Sequence, residues 1–303
     1  MDLTVAIISY NTKDLLEKCL KSVNEAKSSV SLEIVVVDNN SADGSVGMVR
    51  EKYPEAKIFE NQDNLGFAKG CNQAIKKAAG NYVLLLNSDT EIVEGCFDVL
   101  HDFMNSHENA GAVGPKILNF DGSVQYSCRD FPSFADATVH AFLGAFFPSN
   151  PFSKRYKRVE RNHESDQEVD WISGAALCLR KEAVESIGCF DEHYYMYVED
   201  MDLCYRLRQK DWGIYYNPKA KVYHHIGQSS KQMSSKMMIE HQKSIYRFYS
   251  KLYKDKPWRH LKFLIGIGLF FRGLLLIFAS LVKRSRNDER RTPNVERKKS
   301  GNA

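Results

Sequence analysis

Apolar segments of strand length alternate with helix-like segments over the first 115 residues of this 303-residue chain. A short continuous apolar run favours a strand, and apolar positions that recur every three or four residues favour a helix. Strands are predicted at residues 3–9, 32–37, 56–60 and 83–86, and helices at residues 15–26, 45–52 and 66–80. Because strands that alternate with helices pair in parallel through crossover connections, the pattern predicts an α/β fold with a mostly parallel central sheet.

The hydrophobic pattern is less regular beyond residue 115. Residues 131–157 are rich in aromatic residues, proline and serine and contain several basic residues, so we expect a mobile loop or lid there. Further strands are predicted at residues 169–180, 213–216 and 220–224, and helices at residues 181–187, 198–210 and 236–253. The last of these helices is amphipathic, which indicates that one of its faces packs against the rest of the protein.

The strand predicted at residues 83–86 ends abruptly in Asn87, Ser88 and Asp89. Such an apolar run suits a strand that is buried on both faces. A carboxylate just past it lies at the carboxyl edge of the sheet, where open α/β folds bind ligands. Since magnesium-type ions favour one or two carboxylates plus phosphate oxygens and water, the turn predicts a cation held against a diphosphate. An ordinary polar turn is the alternative.

Two further polar segments follow predicted strands. Asp38 ends the second strand, where its carboxylate can accept hydrogen bonds from a base or a ribose, or can cap the next helix. The third helix opens with Asn64, Gly66 and Lys69, and its glycine and free amides suit close approach of an anion. This segment matches neither the Walker nor the dinucleotide fingerprint, so it is weak evidence for a phosphate loop.

Three carboxylates, Glu199, Asp200 and Asp202, share the first turn of a predicted helix. Because clustered carboxylates repel one another, at least one can have a raised pKa and act as a general base. The alternative is that they complement the helix dipole and pair with Arg206. His224 ends a later strand and can complete the coordination of an ion at Asp89, although a lone histidine is more often structural.

Composition narrows the class of protein. Hydrophobic residues make up 43% and aromatic residues 12% of the chain, which suits a globular protein. The net charge of +4 is concentrated at the C-terminus, because the residues before Lys283 sum to −1, so we do not expect a nucleic-acid partner. The seven cysteines are scattered without a C-x-x-C pair, which argues against disulfides and zinc. The N-terminus lacks the features of a signal peptide.

The order of the motifs resembles a known enzyme family. The motifs are Val5-Ala-Ile-Ile-Ser-Tyr-Asn, Val36-Val-Asp-Asn-Asn-Ser, Asn64-Leu-Gly-Phe-Ala, Leu86-Asn-Ser-Asp, Gly174-Ala, Gly188-Cys-Phe-Asp-Glu, Glu199-Asp-Met-Asp and His224-His-Ile-Gly-Gln-Ser. In this order they resemble the inverting glycosyltransferases of family 2, which have the GT-A nucleotide-diphospho-sugar transferase fold, and within them the bacterial rhamnosyltransferase-like branch. The resemblance covers roughly residues 2–255, and its specificity comes from the ordered co-occurrence of the motifs.

The resemblance implies a role for each matching position. Residues that would bind the nucleotide-diphospho-sugar are Ser9, Tyr10, Asn11, Asp38, Asn64, Gly66, Lys69, Asn87, Ser88, Trp171, Ser173 and Gly174. Asp89 and His224 would hold Mg²⁺ or Mn²⁺, with Asn87 replacing the first acid of the family's Asp-x-Asp motif. Asp200 would be the general base, and Glu199 and Asp202 would position it or the acceptor. The donor would be dTDP-rhamnose or a UDP-hexose, and the acceptor a lipid-linked glycan of cell-surface polysaccharide synthesis.

The segment 263–282 is apolar all round apart from Arg272 at its midpoint. Twenty helical residues rise about 30 Å, enough to cross a bilayer, but an arginine at mid-membrane costs roughly 2.5–3.5 kcal/mol. The basic tail favours the cytoplasmic side, where sugar nucleotides also occur. We therefore expect a C-terminal apolar helix that associates with the cytoplasmic face of the bacterial inner membrane as a re-entrant or interfacial helix without fully crossing it. The alternatives are a single crossing helix and a helix packed on the catalytic domain.

The expected organisation has four parts. Residues 1–115 form the nucleotide-sugar-binding half of one domain, residues 116–257 its acceptor-binding and catalytic half, residues 258–284 the membrane-associated segment and residues 285–303 a basic disordered tail.

Three alternative functions are less well supported. A nucleotidyltransferase would need a glycine-rich basic loop after the first strand, where this chain has Ser9-Tyr-Asn-Thr-Lys. A catalytically inactive nucleotide-sugar-binding scaffold of a polysaccharide assembly complex is disfavoured by the intact acids Asp89 and Asp200. A peripheral lipid-binding protein leaves the first 255 residues unexplained.

Overall fold

A central sheet with helices on both faces forms the body of the protein in the computed structural model, which describes residues 1–131, 133, 163–225, 235–257 and 259–291. The strands of the described residues are β1 (Leu3–Ser9), β2 (Leu32–Asp38), β3 (Lys57–Glu60), β4 (Tyr82–Asn87), β5 (Thr90–Ile92), β6 (Ala110–Leu118), β7 (Val124–Gln125), β8 (Cys128–Arg129), β9 (Gln167–Glu168), β10 (Trp171–Ile172), β11 (Ala176–Arg180) and β12 (Gly213–His224). The helices are α1 (Lys13–Glu25), α2 (Ser45–Lys52), α3 (Phe67–Lys77), α4 (Cys96–Ser106), α5 (Lys181–Ser186), α6 (Glu199–Arg208), α7 (Ser235–Leu252) and α8 (Lys262–Arg291).

The main path of the sheet has the strand order β3-β2-β1-β4-β11-β6-β12-β5. The pairs β1–β2, β1–β4, β2–β3 and β6–β12 are parallel, whereas β11 runs against both β4 and β6 and β5 runs against β12. The sheet is therefore mixed and mostly parallel, as predicted. Ser9 lies opposite Asp38, and Ile8 opposite Asn87, so the polar ends of β1, β2 and β4 meet at one edge.

Both faces of the central strands are buried. In β4, Val83 and Leu85 belong to the core layer that also contains α3 and α6, whereas Leu84 and Leu86 face the layer that contains α1 and α4. This two-sided burial explains why β4 is a continuous apolar run and not an alternating one. The prediction that residues 83–86 form a strand buried on both faces is confirmed.

The second half departs from its predicted elements in two places. The strand predicted at residues 169–180 is interrupted between β10 and β11, where the amides of Ser173 and Gly174 donate to Ser127 and Asp200. The two strands predicted at residues 213–224 are one strand, β12, whose register shifts between Asn217 and Lys221, at a segment that contains Pro218. Proline is tolerated at such a bulge because its missing amide hydrogen breaks no ladder bond there.

Elements between residues 90 and 129 were not predicted. They include β5, α4 and β6. Strand β6 spans the boundary predicted between residues 115 and 116, so the two predicted halves of the domain share one sheet. Of the loop predicted at residues 131–157, only residues 131 and 133 lie among the described residues.

Helices α7 and α8 pack against each other. Gly266 and Gly273 of α8 lie against Tyr246 and Gln242 of α7, and the Arg272 guanidinium donates to Gln242 Oε1 at 3.3 Å. The segment predicted to be apolar all round therefore has one protein-covered face, on which its arginine lies. Helix α8 continues to Arg291, so residues 285–291 are helical and not part of a disordered tail, and residues 292–303 lie outside the described residues.

The other face of α8 is apolar and open. Its exposed large side chains are Phe263, Leu264, Ile267, Phe270, Phe271, Leu274, Leu275 and Phe278. Within the described part of the chain, α8 is the one helix with the length and composition to cross a membrane, through Lys262–Ser280.

Candidate active site

The loops that follow β1 and β2 form one wall of the candidate site. The Asn11 amide donates to Ser41 Oγ at 2.8 Å, and the Asn11 side chain accepts from the Ala42 amide at 2.8 Å. Asp38 is buried and accepts from the amide and hydroxyl of Ser41 at 2.8 and 2.6 Å. Asp38 and Asn11 thus shape this wall, while the half-exposed Tyr10 projects from it.

A row of hydroxyl groups connects this wall to the turn after β4. Ser9 Oγ lies 3.2 Å from Thr12 Oγ1, which donates to Ser88 Oγ at 2.8 Å. The structure thus brings together Ser9 and Ser88, which we predicted to bind the donor. Thr12 was not among the predicted site residues, although its position just after the first strand and just before α1 indicates this edge of the sheet.

Asp89 and His224 form the candidate cation site. Asp89 is buried, and its Oδ1 lies 3.2 Å from Nε2 of His224. Sequence reasoning expected this pair, and the structure places it where β12 pairs antiparallel with β5.

The orientation of His224 is fixed by its neighbour Gln125. The Gln125 amide nitrogen donates to His224 O and to Asn119 Oδ1, both at 2.8 Å, so its oxygen faces His224 Nδ1 at 2.9 Å. Nε2, the other ring nitrogen, faces the Asp89 carboxylate. A ring nitrogen and a carboxylate oxygen that face each other suit a cation between them, and a hydrogen bond at the other ring nitrogen is usual for metal-binding histidine.

The described residues contain no group of three or more histidine, cysteine, aspartate or glutamate side chains that could enclose a metal. Asp89 and His224 would thus supply only part of a coordination shell. This composition fits Mg²⁺ or Mn²⁺ completed by diphosphate oxygens and water, since such ions keep several non-protein ligands.

The acids Glu199 and Asp200 form the second part of the site. Asp200 is half-buried, and its two oxygens accept from the amides of Gly174 and Met201, each at 2.8 Å. Desolvation raises the pKa of Asp200, although these two amides oppose that shift. Burial and the neighbouring Asp200 raise the pKa of Glu199 well above its usual range, and Glu199 Oε2 has no hydrogen-bond partner among the described residues.

A short series of contacts joins the two acidic turns. The Asn87 amide donates to Ala175 O at 3.0 Å, and Gly174, the preceding residue, donates to the Asp200 carboxylate. The turn that carries Asp89 and the helix start that carries Asp200 therefore meet at the same end of β4 and β11.

Asp202 lies in the same helical turn but has different contacts. Its buried carboxylate accepts from Arg206 and Lys251, each at 2.7 Å, and from the Tyr194 hydroxyl at 3.1 Å. Both carboxylate oxygens of Asp202 are therefore engaged with cations, which fits the expected role of positioning the base better than direct contact with a substrate.

Trp171 is buried where β10 pairs with β8, and its indole nitrogen donates to Asp130 O at 3.3 Å. The Arg129 guanidinium lies 5.0 Å from the Trp171 ring centroid, and its charge opposes the raised pKa of Asp200. Arg129 was not predicted as a site residue, because no recognisable motif surrounds it.

The loop before α3 contacts the segment before α6 at Tyr195. Gly66 accepts no side chain at its Cα, because a Cβ there would lie 2.4 Å from Tyr195 O. The Asn64 side chain accepts from the Gly66 amide at 3.0 Å, and the Phe67 amide donates to Tyr195 O at 2.9 Å. Lys69 follows on α3 and is half-buried. This loop thus supports the segment that leads into Glu199 and Asp200 as well as the predicted donor pocket.

Gly66→Ala is expected to destabilise the protein by about 3 kcal/mol or more, because the new Cβ would clash with backbone and the φ of +88° is strained for alanine. Gly95→Ala is the matched control, since Gly95 has φ +80° and open space around its Cα, and should cost only about 1 kcal/mol. Denaturant unfolding measures both, and equal losses would contradict the predicted clash.

Comparisons with known proteins show the family to which the chain belongs. Residues 4–188 match the model of the family described as "Glycosyl transferase family 2". The chain is 33% identical over 295 residues to N-acetylglucosaminyl-diphospho-decaprenol L-rhamnosyltransferase of Mycobacterium tuberculosis (strain CDC 1551 / Oshkosh), covering 94% of this chain and 95% of that protein. It is 25% identical to Rhamnosyltransferase WbbL of Escherichia coli (strain K12), covering 82% of this chain and 92% of that protein.

Solved structures share the fold. The mannosyltransferase PcManGT from Pyrobaculum calidifontis, in complex with GDP-Man and Mn²⁺, has a TM-score of 0.55 at 19% identity, covering 94% of this chain and 75% of that one. GalNAc-T7 with UDP, GalNAc and Mn²⁺ has a TM-score of 0.61 at 14% identity, covering 88% of this chain and 54% of that one. Fold and sequence together define a glycosyltransferase with the GT-A fold. The chain belongs to glycosyl transferase family 2 and is similar to the rhamnosyltransferases within it.

Proposed function

We propose that this enzyme transfers rhamnose from dTDP-rhamnose, with inversion, to a hydroxyl of a lipid-linked glycan in cell-surface polysaccharide synthesis. The observation that carries the proposal is that the Asp89–His224 pair and the Asp200 carboxylate lie at one end of β4 and β11. The similarity to a rhamnosyltransferase whose name specifies N-acetylglucosaminyl-diphospho-decaprenol supports the sugar and the lipid-linked acceptor.

The proposed reaction is a single displacement. Asp200 accepts the proton of the acceptor hydroxyl while the acceptor oxygen forms a bond to the anomeric carbon and the bond to the nucleoside diphosphate breaks. Its raised pKa makes it a stronger base than an ordinary aspartate, and its two amide hydrogen bonds keep it oriented. Attack opposite the leaving group inverts the anomeric configuration, so no nucleophilic side chain is needed.

The donor would lie across the ends of β1, β2 and β4. We assign the base and ribose to the wall formed by Ser9, Tyr10, Asn11 and Asp38, and the diphosphate to the turn 87–89. A divalent cation held by Asp89 and His224 would neutralise charge on the leaving diphosphate. Trp171 and Gly174 would border the sugar, beside Asp200, which would face the acceptor.

A donor and acceptor matrix tests this function. The purified protein is incubated with dTDP-rhamnose, UDP-glucose or UDP-N-acetylglucosamine and with a polyprenyl-diphospho-N-acetylglucosamine, and the lipid product is analysed by mass spectrometry. We expect a mass increase of one deoxyhexose with dTDP-rhamnose alone. Transfer from a UDP-sugar only, or transfer only to a water-soluble glycan, would contradict the proposed substrates.

We also propose that the exposed face of α8 lies in the cytoplasmic leaflet of the inner membrane. The inward position of Arg272 removes the charge from that face, and the chain from Lys283 onward carries eight basic and three acidic residues, which suits anionic lipid. Such attachment would keep the enzyme beside a lipid-linked acceptor.

Phe270→Glu combined with Phe278→Glu is expected to reduce binding to vesicles containing anionic phospholipid about tenfold or more, because both side chains are exposed and large. Cosedimentation measures the bound fraction. Lys76→Glu on α3 changes the net charge by the same amount and should leave binding nearly unchanged. Equal recovery of wild type and double variant would refute the attachment, and these point changes preserve the packing of α8 that a deletion would remove.

A further inference from the structure

The backbone immediately before the catalytic acids is strained. Tyr197 and Val198 have φ values of 68° and 71°, in the left-handed region, and Glu199 and Asp200 follow directly. This conformation is costly for residues other than glycine, above all for a β-branched residue, and persists only where surrounding contacts enforce it. The directions of the two acids therefore depend on whatever holds this segment.

Helix α7 holds the segment on its N-terminal side. Ser244 donates a hydrogen bond from its hydroxyl to Met196 O at 3.2 Å, and Ser244 is buried. The His241 ring contacts the Tyr197 ring edge-on, with 5.1 Å between centroids. These contacts fix the residues that lead into the left-handed turn.

The same helix holds the C-terminal side through Lys251. Its ammonium donates to Asp202 Oδ1 at 2.7 Å and to Asp191 Oδ2 at 2.6 Å. Asp202 lies in the first turn of α6 with its side chain fully buried, and its other oxygen accepts from Arg206. A buried carboxylate needs such partners, so Lys251 is bound firmly to the helix that carries the acids.

We propose that Lys251 is a positioning residue for sugar transfer, which, acting through Asp202 and together with Ser244, holds the left-handed segment so that Asp200 is aimed at the acceptor hydroxyl. This inference rests on the proposed role of Asp200 as the base. Helix α7 is then part of the catalytic apparatus, although it contributes no group that touches the substrates.

Lys251→Met tests the inference, with Lys243→Met as the matched control on the same helix. Lys243 is largely exposed and pairs with Glu240 within one helical turn, so its loss should leave the kinetics unchanged. Lys251→Met should lower kcat about tenfold to a hundredfold while the dissociation constant of the donor stays the same, since misalignment affects only the reacting groups. Lys251→Arg keeps the charge and should restore most of kcat.

Ser244→Ala keeps the test decisive if Lys251→Met does not fold. The substitution removes one hydrogen bond with little change in volume, and we expect kcat to fall about fivefold at unchanged donor affinity. If both Lys251→Met and Ser244→Ala fold and have wild-type kcat, the inference is wrong.

The Asp200→Asn background separates this inference from the proposed function. If Lys251 acts by aiming Asp200, the Lys251→Met change should cause no further loss in a protein that already carries Asp200→Asn. A full additional loss in that background would overturn the inference and leave Asp200 as the base. Normal turnover by Asp200→Asn alone would instead refute the proposed function.

Discussion

Replacing Asp200 with asparagine is expected to lower the rate of sugar transfer about a thousandfold, the typical contribution of a general base. Asparagine is nearly isosteric and can still accept through its oxygen from the Gly174 amide, so the fold and the donor pocket should persist. Donor affinity, measured by calorimetry, should therefore equal that of the wild type. Single-turnover transfer measures the loss.

The pH dependence of sugar transfer is a second test of the role of Asp200. Because desolvation raises the pKa of Asp200 and the base must be deprotonated, wild-type transfer should fall, as pH decreases, at a higher pH than an ordinary aspartate would give. The residual activity of Asp200→Asn should lack that limb of the profile.

Asp211→Asn is the control for Asp200→Asn. Asp211 is exposed beyond the other end of α6, and its φ of 62° is one that asparagine tolerates, so activity should not change. If Asp200→Asn retained more than about a tenth of wild-type transfer, a base at this position would be excluded.

Replacing Asp89 with asparagine is expected to reduce Mn²⁺-dependent donor binding about a hundredfold or more. The change removes the negative charge of Asp89 that faces His224 Nε2, while it preserves the size of a buried side chain. In calorimetry with the nucleoside diphosphate, wild-type affinity should fall when EDTA removes the ion. The variant should bind with the same weak affinity in Mn²⁺ and in EDTA.

Asp102→Asn is the control for Asp89→Asn. Asp102 lies on α4 with 81% of its side chain exposed, so the charge change is the same without any contact with the site. Its binding should respond to EDTA as the wild type does. An Asp89→Asn protein that retains the full Mn²⁺ effect would place the ion elsewhere.

The carboxyl edge of the sheet could be predicted because short stretches of neighbouring residues mark it. Continuous apolar runs that end in Asp38 and in Asn87-Ser88-Asp89 mark buried strands and their carboxyl ends, and the parallel pairing of β1, β2 and β4 brings those ends together. The acids Glu199 and Asp200 were also visible in sequence, since both occupy one helical turn.

The remaining parts of the site depend on contacts between residues distant in sequence. Gln125 orients His224 across 99 positions, and the break between β10 and β11 depends on a bond from Gly174 to an acid 26 positions later. The contact of Asp202 with Lys251 and the inward direction of Arg272 likewise depend on partners on α7. A hydrophobic pattern contains no information about such pairings.

The position of β11 has a consequence for how the chain acquires its structure during synthesis. This strand lies between β4 and β6, which both precede it by many residues, so a nascent chain that ends at β6 leaves β4 with an open edge. The gap closes only after β11 has emerged, and β12 must then add to β6. Such non-local pairing slows folding and prolongs the exposure of apolar strands. The sheet formed by the first 118 residues thus becomes continuous only when residues 176–180 have left the ribosome.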